Sequence, residues 1–555
     1  MTLEQLQNEI QKAITAKFGD AFPCAVLQAA PDHVDADFSL SWAMQAAKIL
    51  KKAPIQIAGE IVPLAEKLPG VAAVSAVMPG FVNIKLSARG YADAVCEVLA
   101  NPGGCIRKQN LPAKKILFEF VSANPTGPLH VASGRSAALG DSLVRILKAQ
   151  GYDASSEYYI NDAGNQVRLL GESLKARHEG KPLPENGYHG DYLVDIAAKI
   201  KDSSGWTAAD YSAFAIAELI KTQQDDMVLF RTHFDRWFFE TELHKAGAPK
   251  AALEQLEKDG KTSKVDGAVW FGEQSDSDKE EDKARVLVRG DGSPTYFLND
   301  IAYHKNKYER GFTELVNILG ADHHGYIPRM KKAVEVLGKD PETFKVILHQ
   351  LVHLNKNGEA VKMSKRAGEF ITLRELVDEV GADACRFFFA SRTPNSHLHF
   401  DIELAKKRSQ ENPVFYVQYV HARINSIFRA LEEKIPGGVP AAGELIKNAG
   451  PLPEKLNCSA VLENYSFAPQ EEALIRKLML FPAVLDACVR DLTPHHITTY
   501  LMELAGLFHP FYDSCRVINP DDTKTTAARL CLCKAVQDTI RTGLDLIGVS
   551  APESM

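Results

Sequence analysis

A predicted strand, a proline- and glycine-rich loop and a predicted helix meet at one histidine, His130. The apolar run at residues 116–121 predicts a buried parallel strand, and residues 124–128 predict a loop. Apolar residues at helical spacing from Leu139 predict a helix after the loop. Such a junction offers free N–H groups and a positive helix end to an anion, so His130 could donate a hydrogen bond to a phosphate. An ordinary strand-to-helix connection is the alternative interpretation.

A second stretch carries three cations within five residues, namely Lys362, Lys365 and Arg366. Gly358 and Gly368 flank them, and glycines allow a loop to move and to approach a ligand closely. Lysines suit a polyphosphate as point charges. A solvated basic loop would explain the same charges without a ligand.

Together these stretches resemble the HIGH and KMSKS signatures of class I aminoacyl-tRNA synthetases, and the whole chain resembles the arginyl-tRNA synthetases. Six segments carry this resemblance in the family's order: NPTGPLH at 124–130, YINDAGNQ at 159–166, YFLNDIAYH at 296–304, GADHHG at 320–325, KMSKR at 362–366 and NPVFYVQY at 412–419. The implied fold is α/β: a doubly wound, Rossmann-type parallel-sheet catalytic domain with a small α/β N-terminal domain and an all-α C-terminal anticodon-binding domain. The implied reaction joins arginine to tRNA(Arg) with ATP, giving AMP and pyrophosphate.

Amino-acid activation requires alignment of a carboxylate with the α-phosphate of ATP and stabilisation of the charge that develops there. We therefore expect His130, Ser133, Lys362 and Lys365 to act in catalysis. The resemblance implies that ATP is bound by Pro128, Leu129, His130, Ala132, Gly320, Asp322, His323, Met363 and Ser364. The signature motif comprises Ala123, Asn124, Pro125, Thr126, Gly127, Pro128, Leu129, His130, Val131, Ala132 and Ser133. Magnesium should accompany ATP, and no protein-bound metal is expected, because adjacent side chains such as His323 and His324 point apart.

A guanidinium substrate is best bound by carboxylates, which accept its planar fork of donors. Tyr296, Asp300 and His304 follow each other at four-residue steps and would share one helical face. The resemblance implies an arginine site made of Glu119, Ser122, Asn124, Tyr296 and Asp300. A surface salt bridge is the alternative role for Asp300.

The signature departs from the family at two positions. The family has His-x-Gly-His, whereas this chain has Ala132 and Ser133 at the last two positions. Loss of a positioned donor can weaken catalysis by roughly ten- to a thousandfold. Either a small loop shift compensates, or the enzyme is impaired or altered.

The pattern along the chain predicts three domains: 1–108, 109–400 and 401–555, with an insertion at about 172–283 in the second. Strands are expected at 116–121, 154–160, 315–319 and 344–354, and a hairpin at 286–298. After residue 401 the pattern predicts helices, the first of which has Asn412 as its N-cap and Pro413 in its first turn. One or two of the tyrosines Tyr416, Tyr419, Tyr500 and Tyr512 could stack on anticodon bases, and the N-terminal domain would contact the tRNA elbow by resemblance.

Composition favours a cytoplasmic enzyme. A formal charge of −7 argues against indiscriminate nucleic-acid binding but leaves room for a local basic groove. Nine scattered cysteines are interpreted as reduced thiols, and neither a membrane span nor a signal peptide is expected. The partners expected are tRNA(Arg), arginine and ATP, for a monomeric protein.

Two other functions remain open from the sequence. Ala132 and Ser133 would suit a non-catalytic tRNA-binding relative. A different adenylyl- or nucleotidyl-transferase would explain the two phosphate motifs, but it leaves Asp300 and the helical C-terminal domain without a role.

Overall fold

The structure, a computed structural model, describes residues 2–31, 33–101, 107–108, 111–272, 286–361, 371–435 and 458–555, without the side chains of residues 432 and 459. It follows the chain as an antiparallel sheet with helices, a parallel sheet with helices, and a set of packed helices. In the described ranges, no helix is both long enough and apolar enough to cross a membrane.

The N-terminal part is a four-stranded antiparallel sheet packed against four helices, with strand order β1-β2-β4-β3. Its strands are β1 Leu27–Ala29, β2 Phe38–Leu40, β3 Val71–Val77 and β4 Phe81–Leu86, and its helices are α1 Leu3–Phe18, α2 Trp42–Leu50, α3 Pro54–Ala65 and α4 Ala88–Ala100. A tight turn at Pro79 and Gly80 joins β3 to β4. Strand β2 begins at Phe38. Immediately before it, the Asp37 carboxylate accepts hydrogen bonds from Leu86 N and the Tyr91 hydroxyl.

The central sheet has five strands in the order β12-β11-β5-β6-β7, and every neighbouring pair is parallel. The strands are β5 Lys115–Glu119, β6 Asp153–Ile160, β7 Arg236–Phe239, β11 Glu314–Gly320 and β12 Phe344–His349. Because all strands run the same way, the residues after their carboxyl ends gather at one edge, where open parallel sheets bind ligands. The predicted doubly wound α/β class is confirmed.

Helices and two small sheets complete this part of the chain. The helices are α5 Val131–Gln150, α6 Asn165–His178, α7 Tyr192–Ala198, α8 Ala208–Leu229, α9 Glu240–Lys245, α10 Ala248–Lys258, α11 Tyr296–Glu309, α12 Tyr326–Val336, α13 Leu373–Val380, α14 Ala382–Ala390 and α15 Ile402–Lys406, with 3-10 turns at Ala321–His323 and Pro341–Thr343. One sheet joins β8 Thr262–Val265, β9 Ala268–Phe271 and β10 Val286–Val288, and the other joins β13 Val352–Lys356, β14 Glu359–Ala360 and β15 Leu398–Asp401.

Three local predictions need correction. The single strand expected at 344–354 is two strands in different sheets, because the chain turns at Gln350, whose N–H donates to Pro394 O. The hairpin expected at 286–298 ends early, since the Thr295 hydroxyl caps a helix that begins at Tyr296. Within the expected insertion, β7 returns to the central sheet as its edge strand, which the sequence pattern did not indicate.

The C-terminal part is helical, as predicted. Its helices are α16 Pro413–Lys434, α17 Cys458–Leu462, α18 Pro469–Met479, α19 Phe481–Asp491, α20 His495–Ser514 and α21 Thr523–Leu546. Asn412 caps α16 by accepting a hydrogen bond from Val414 N, as its sequence predicted. Arg386 connects this part to the central one, because its buried guanidinium donates to Ile547 O and to the Asp141 carboxylate.

Candidate active site at the carboxyl edge of the central sheet

The predicted strand, loop and helix around His130 are confirmed: β5 ends at Glu119 and α5 begins at Val131. The chain turns sharply after the strand, where Val121 and Ser122 have φ values of 69° and 41°. Residues other than glycine rarely adopt positive φ values, so the backbone of this turn is strained, as is often found at ligand sites. The Ser122 hydroxyl donates to Glu119 Oε1 at 3.1 Å and accepts from Tyr159 N at 3.2 Å, which holds the turn against β6.

The signature loop is held from behind by side chains of the neighbouring strand and helices. Three donors bind three loop carbonyls: the Tyr158 hydroxyl donates to Ala123 O at 3.2 Å, the Tyr192 hydroxyl to Thr126 O at 2.7 Å, and Gln223 Nε2 to Gly127 O at 3.0 Å. The exposed Asn124 amide donates to Gln166 Oε1 at 2.8 Å. Apart from Gln166, which ends the segment at 159–166, the groups that hold the loop lie outside the recognised segments.

His130 lies in extended conformation as the N-cap residue of α5. Pro128, Ala132 and Ser133 around it are partly accessible, whereas Leu129 is buried. The chain after the basic loop is attached here, because His130 forms a β-bridge with Thr372 and Leu373 N donates to Leu129 O at 2.8 Å. The predicted phosphate residues Lys362, Met363, Ser364 and Lys365 lie outside the described residues. Gly358 lies in a tight hairpin turn with φ of 81°, beside Asn357 at 53°.

The turn predicted to bind adenosine follows β11 at the same edge. Gly320 is the last strand residue and pairs in register with His349 of β12. A side chain at Gly320 would lie 2.5 Å from Asp322 Oδ1, so the exposed Asp322 side chain would have to shift to make room for it. Asp322 and His323 are exposed beyond the strand end. Among the described residues, no group of three or more histidines, cysteines or acids is arranged to hold a metal ion.

Asp300 is a half-buried carboxylate on α11, near the carboxyl edge of the sheet. The Tyr326 hydroxyl and the Arg329 guanidinium lie near it, and both lower its pKa. Burial raises the pKa of Asp300 to about 7, and the Glu119 and Glu240 carboxylates add to the rise against the opposing Arg329 charge. The pocket therefore favours a cation beside Asp300.

The two residues that share the predicted helical face with Asp300 differ in their surroundings. Tyr296 is 68% exposed at the first position of α11. His304 is buried, and its Nδ1 donates to Asp300 O at 2.7 Å. Burial lowers the pKa of His304 to about 3, so this imidazole is neutral and supports the helix.

Glu119 points inward at the end of β5 and forms a buried ion pair with Lys307 of α11. Lys307 also donates to Asn317 Oδ1 at 3.4 Å and lies 4.2 Å from the Tyr303 ring centroid. The protein itself therefore supplies a positive charge to the Glu119 carboxylate. The sequence analysis did not identify this lysine.

The residues that were not predicted come from separate segments of the chain. Lys307 lies one helical turn beyond a recognised segment, and Tyr326 and Arg329 follow the GADHHG turn directly. For Lys307, Tyr326 and Arg329, the only sequence signal of a role in the site was their position shortly after a recognised segment. Glu240 follows a strand that was itself not predicted, so no signal marked it.

The candidate anticodon-contacting tyrosines separate into two groups. Tyr500 is buried, and its hydroxyl donates to Lys477 O at 3.0 Å, as expected for a core residue. Tyr416, Tyr419 and Tyr512 are partly accessible on α16 and α20. Arg423 lies 4.5 Å from the Tyr512 ring centroid, which creates an aromatic and cationic patch.

Family profiles match all three parts of the chain. The profile "Arginyl tRNA synthetase N terminal domain" matches residues 4–86, "tRNA synthetases class I (R), catalytic domain" matches residues 94–198, and "DALR anticodon binding domain" matches residues 417–555. The parallel sheet, the strained strand-to-helix junction and the turn after β11 therefore belong to a class I aminoacyl-tRNA synthetase.

Full-length relatives specify the family. The chain is 53% identical over 557 residues to the arginine–tRNA ligase of Elusimicrobium minutum, covering all of both chains, and 42% identical over 572 residues to that of Bacillus licheniformis, covering 100% of this chain and 98% of the relative. It also superposes on the solved Thermus thermophilus arginyl-tRNA synthetase with a TM-score of 0.75 at 21% identity, covering all of both chains. This chain belongs to the arginyl-tRNA synthetase family.

Proposed function

We propose that this chain is an arginine–tRNA ligase that activates arginine with ATP and transfers it to the 3′ end of tRNA(Arg), releasing AMP and pyrophosphate. The observation that carries the proposal is the Asp300 carboxylate, whose pKa is raised to about 7 and which lies near the carboxyl edge of the sheet that also holds His130. A guanidinium would add positive charge at Asp300 to that of Arg329. The N-terminus of α5 would supply N–H donors to phosphate.

Within this proposal, His130 donates to the phosphates, with Pro128, Leu129 and Ala132 around the nucleotide and Ser133 one turn into α5. Gly320, Asp322 and His323 contact the adenosine. The bridge between His130 and Thr372 supports convergence of the two signature motifs, because it fixes the chain seven residues after Lys365 beside His130. Lys362 and Lys365, with Met363 and Ser364, would then neutralise the outer phosphates.

Magnesium is proposed to arrive with the triphosphate. The described residues offer no cluster of three or more ligating side chains for a resident ion. Phosphate oxygens and water would therefore provide most of its ligands, as is common for Mg²⁺ at nucleotide sites. The ion would add positive charge to the leaving pyrophosphate.

Arginine is proposed to lie between β5 and α11. Asp300 and Tyr296 would bind the guanidinium end, and Glu119, Ser122 and Asn124 the α-amino end. The internal charge of Lys307 reduces the net attraction of Glu119 for a second cation, so Asp300 has the larger effect on affinity.

tRNA is proposed to contact the N-terminal part through its elbow and the partly accessible tyrosines of α16 and α20 through its anticodon. Unstacked bases bind aromatic and guanidinium faces, which fits Tyr416, Tyr419, Tyr512 and Arg423. We further propose a monomer acting in the cytoplasm, where tRNA charging serves translation, and that tRNA binding precedes arginine activation. The domain limits 1–108, 109–400 and 401–555 remain proposals.

Arginine-dependent exchange of pyrophosphate into ATP tests the function, measured with and without tRNA(Arg). We expect exchange with arginine and none with lysine. Asp300→Asn should lose arginine binding and retain ATP binding, whereas Glu309→Gln, at the exposed end of the same helix, should change neither. Unchanged arginine affinity in Asp300→Asn would remove Asp300 from the pocket.

The two alternative functions predict different results in the same assay. Tight tRNA binding without exchange under any condition would indicate a non-catalytic relative. Exchange that depends on another acid and needs no RNA would indicate a different adenylyltransferase.

A further inference from the structure

Asp226 is a buried acidic residue on α8, outside every recognised segment and three residues after Gln223. Its exposed fraction is 2%. Its Oδ1 accepts a hydrogen bond from Arg374 Nε at 2.6 Å, and Arg374 Nη2 lies 2.6 Å from the same oxygen. The Arg374 side chain is 42% exposed. The pair therefore joins a buried carboxylate to a cation that reaches the solvent.

Arg374 is the second residue of α13, and the residues just before it support the signature segment. Thr372 is the N-cap of α13 and forms a β-bridge with His130. Leu373 N donates to Leu129 O at 2.8 Å. α13 also packs against α5, the helix that begins after His130. A shift of the first turn of α13 would therefore move the backbone of Leu129 and His130.

One face of α8 reaches the signature segment at two points. Gln223 holds the loop directly, because its Nε2 donates to Gly127 O at 3.0 Å. Asp226 lies on the same face, since residues three apart on a helix are neighbours. Through Arg374 it holds the first turn of α13, which in turn holds His130. The loop and the residue that follows it are thus fixed from one helix.

A purely structural role does not account for a charge at position 226. Burial raises the pKa of Asp226 against the opposing Arg374 charge, and the Asp225 and Asp378 carboxylates add to the rise. Among the described residues, Asp226 Oδ2 has no hydrogen-bond partner. Burial of a carboxylate with one unpaired oxygen is unfavourable, and an ion pair with a half-exposed arginine compensates for it only in part.

We propose that Asp226 is a positioning residue for amino-acid activation, which holds His130 at the phosphate site through Arg374 and the first turn of α13. This inference rests on the proposed function. A positioned donor that moves by about 1 Å can lower the rate about a hundredfold. Arginine affinity should not depend on Asp226, because the carboxylate proposed to bind the guanidinium, Asp300, lies on another helix, α11.

The test uses the full-length protein and measures kcat and the KM for arginine by pyrophosphate exchange, with thermal unfolding alongside. Asp226→Asn keeps the shape of the side chain and removes its charge. We expect kcat to fall about ten- to a hundredfold, with the KM for arginine unchanged. The melting temperature should change little, because water can solvate the half-exposed Arg374 left behind. Asp225→Asn is the matched control, because this adjacent residue is exposed, and its kcat should be that of the unmodified protein.

Arg374→Ala separates positioning from stability. This variant leaves the Asp226 carboxylate buried without its cation, so its melting temperature should fall. The double variant with Asp226→Asn removes both charges and should recover the melting temperature. Its kcat should stay as low as in either single variant, because both substitutions break the same link to His130.

A merely structural Asp226 predicts that kcat follows stability. Recovery of kcat together with the melting temperature in the double variant, a normal kcat in Asp226→Asn or a raised KM for arginine would overturn the proposal. If Asp226→Asn does not fold, Arg374→Ala assayed below its melting temperature decides, since its kcat must fall at an unchanged KM for arginine. A normal kcat there would also overturn the proposal. Failure of the function itself would look different, because the unmodified protein would then show no arginine-dependent exchange.

Discussion

Lys307 and Glu119 form an ion pair in which both side chains are buried beneath the carboxyl edge of the central sheet. Lys307 comes from the last turn of α11 and Glu119 from the end of β5, so the pair ties the helix that carries Asp300 to the strand that leads into the signature loop. The ion pair therefore helps to set the spacing between the two proposed ends of the arginine site.

Removal of Lys307 should destabilise the protein strongly. Lys307→Met leaves the Glu119 carboxylate buried without its cation, which costs about 3–5 kcal/mol in comparable cases. We expect this loss in the free energy of unfolding measured with urea. Lys305→Met on the same helix removes a surface pair with Glu309 and should cost less than about 1 kcal/mol. Equal effects of the two substitutions would contradict the assigned role of the buried pair.

Gln223 should control the rate of activation without touching a substrate. Its Nε2 donates to Asn124 O and Gly127 O, and its Oε1 accepts from the Tyr158 hydroxyl at 2.9 Å. Gln223→Met leaves these groups unpaired and releases the signature loop, and a displacement of about 1 Å can cost about a hundredfold in rate. Pyrophosphate exchange should therefore slow by roughly ten- to a hundredfold.

Gln224→Met provides the comparison for Gln223, because the residue is adjacent on α8 and only partly buried. Its exchange rate should match that of the unmodified protein. A Gln223→Met enzyme with normal kcat and normal KM for ATP would show that the loop keeps its shape without these hydrogen bonds.

The sequence predicted the parts of the site that depend on local signals. The junction at His130 was predicted because a buried strand, a proline-rich loop and a helical repeat follow each other within a short stretch. Lys307, Tyr326 and Glu240 could not be assigned in this way, since each reaches the cleft from a different element and its role depends on tertiary packing. The strand β7 escaped prediction because its four residues show no alternation.

Continuous apolar runs also misled the prediction at β12 and β13. Both strands contribute buried residues, so the run at 344–354 reads as one strand in sequence. The chain turns at Gln350, between the two strands, where the guanidinium of the buried Arg135 on α5 donates to Gln350 O at 2.7 Å. This contact comes from a distant part of the sequence. Burial lowers the pKa of Arg135 to about 10, yet the group remains cationic at neutral pH.

The junction between the central and C-terminal parts should be sensitive at Gly548. Its φ is +69°, and an added side chain would lie 2.3 Å from the buried Arg386 guanidinium. Backbone strain and overpacking each cost about 1–3 kcal/mol, so Gly548→Ala should destabilise the protein by about 2–4 kcal/mol. Gly506→Ala should be neutral or slightly stabilising, because its nearest neighbour would be Tyr416 Oη at 3.7 Å within a helix. Comparison of the two melting temperatures checks the prediction, and a stable Gly548→Ala would contradict it.

Arginine affinity should depend on pH through Asp300. Burial raises the pKa of its carboxyl from 3.8 to about 7, with Glu119 and Glu240 contributing and with Arg329 and the Tyr326 hydroxyl opposing the rise. A raised carboxyl pKa means that the folded protein holds a proton that the unfolded chain releases between about pH 4 and pH 7, so stability falls as pH rises through this window.

Binding of a guanidinium requires the ionised form of Asp300 and releases that proton. Affinity should therefore increase about tenfold per pH unit below 7 and level off above it. Calorimetric titrations with arginine in buffers of different ionisation enthalpy would detect the released proton. Asp300→Asn should bind weakly with a flat profile, and a flat profile in the unmodified protein would mean that Asp300 is already ionised before arginine arrives.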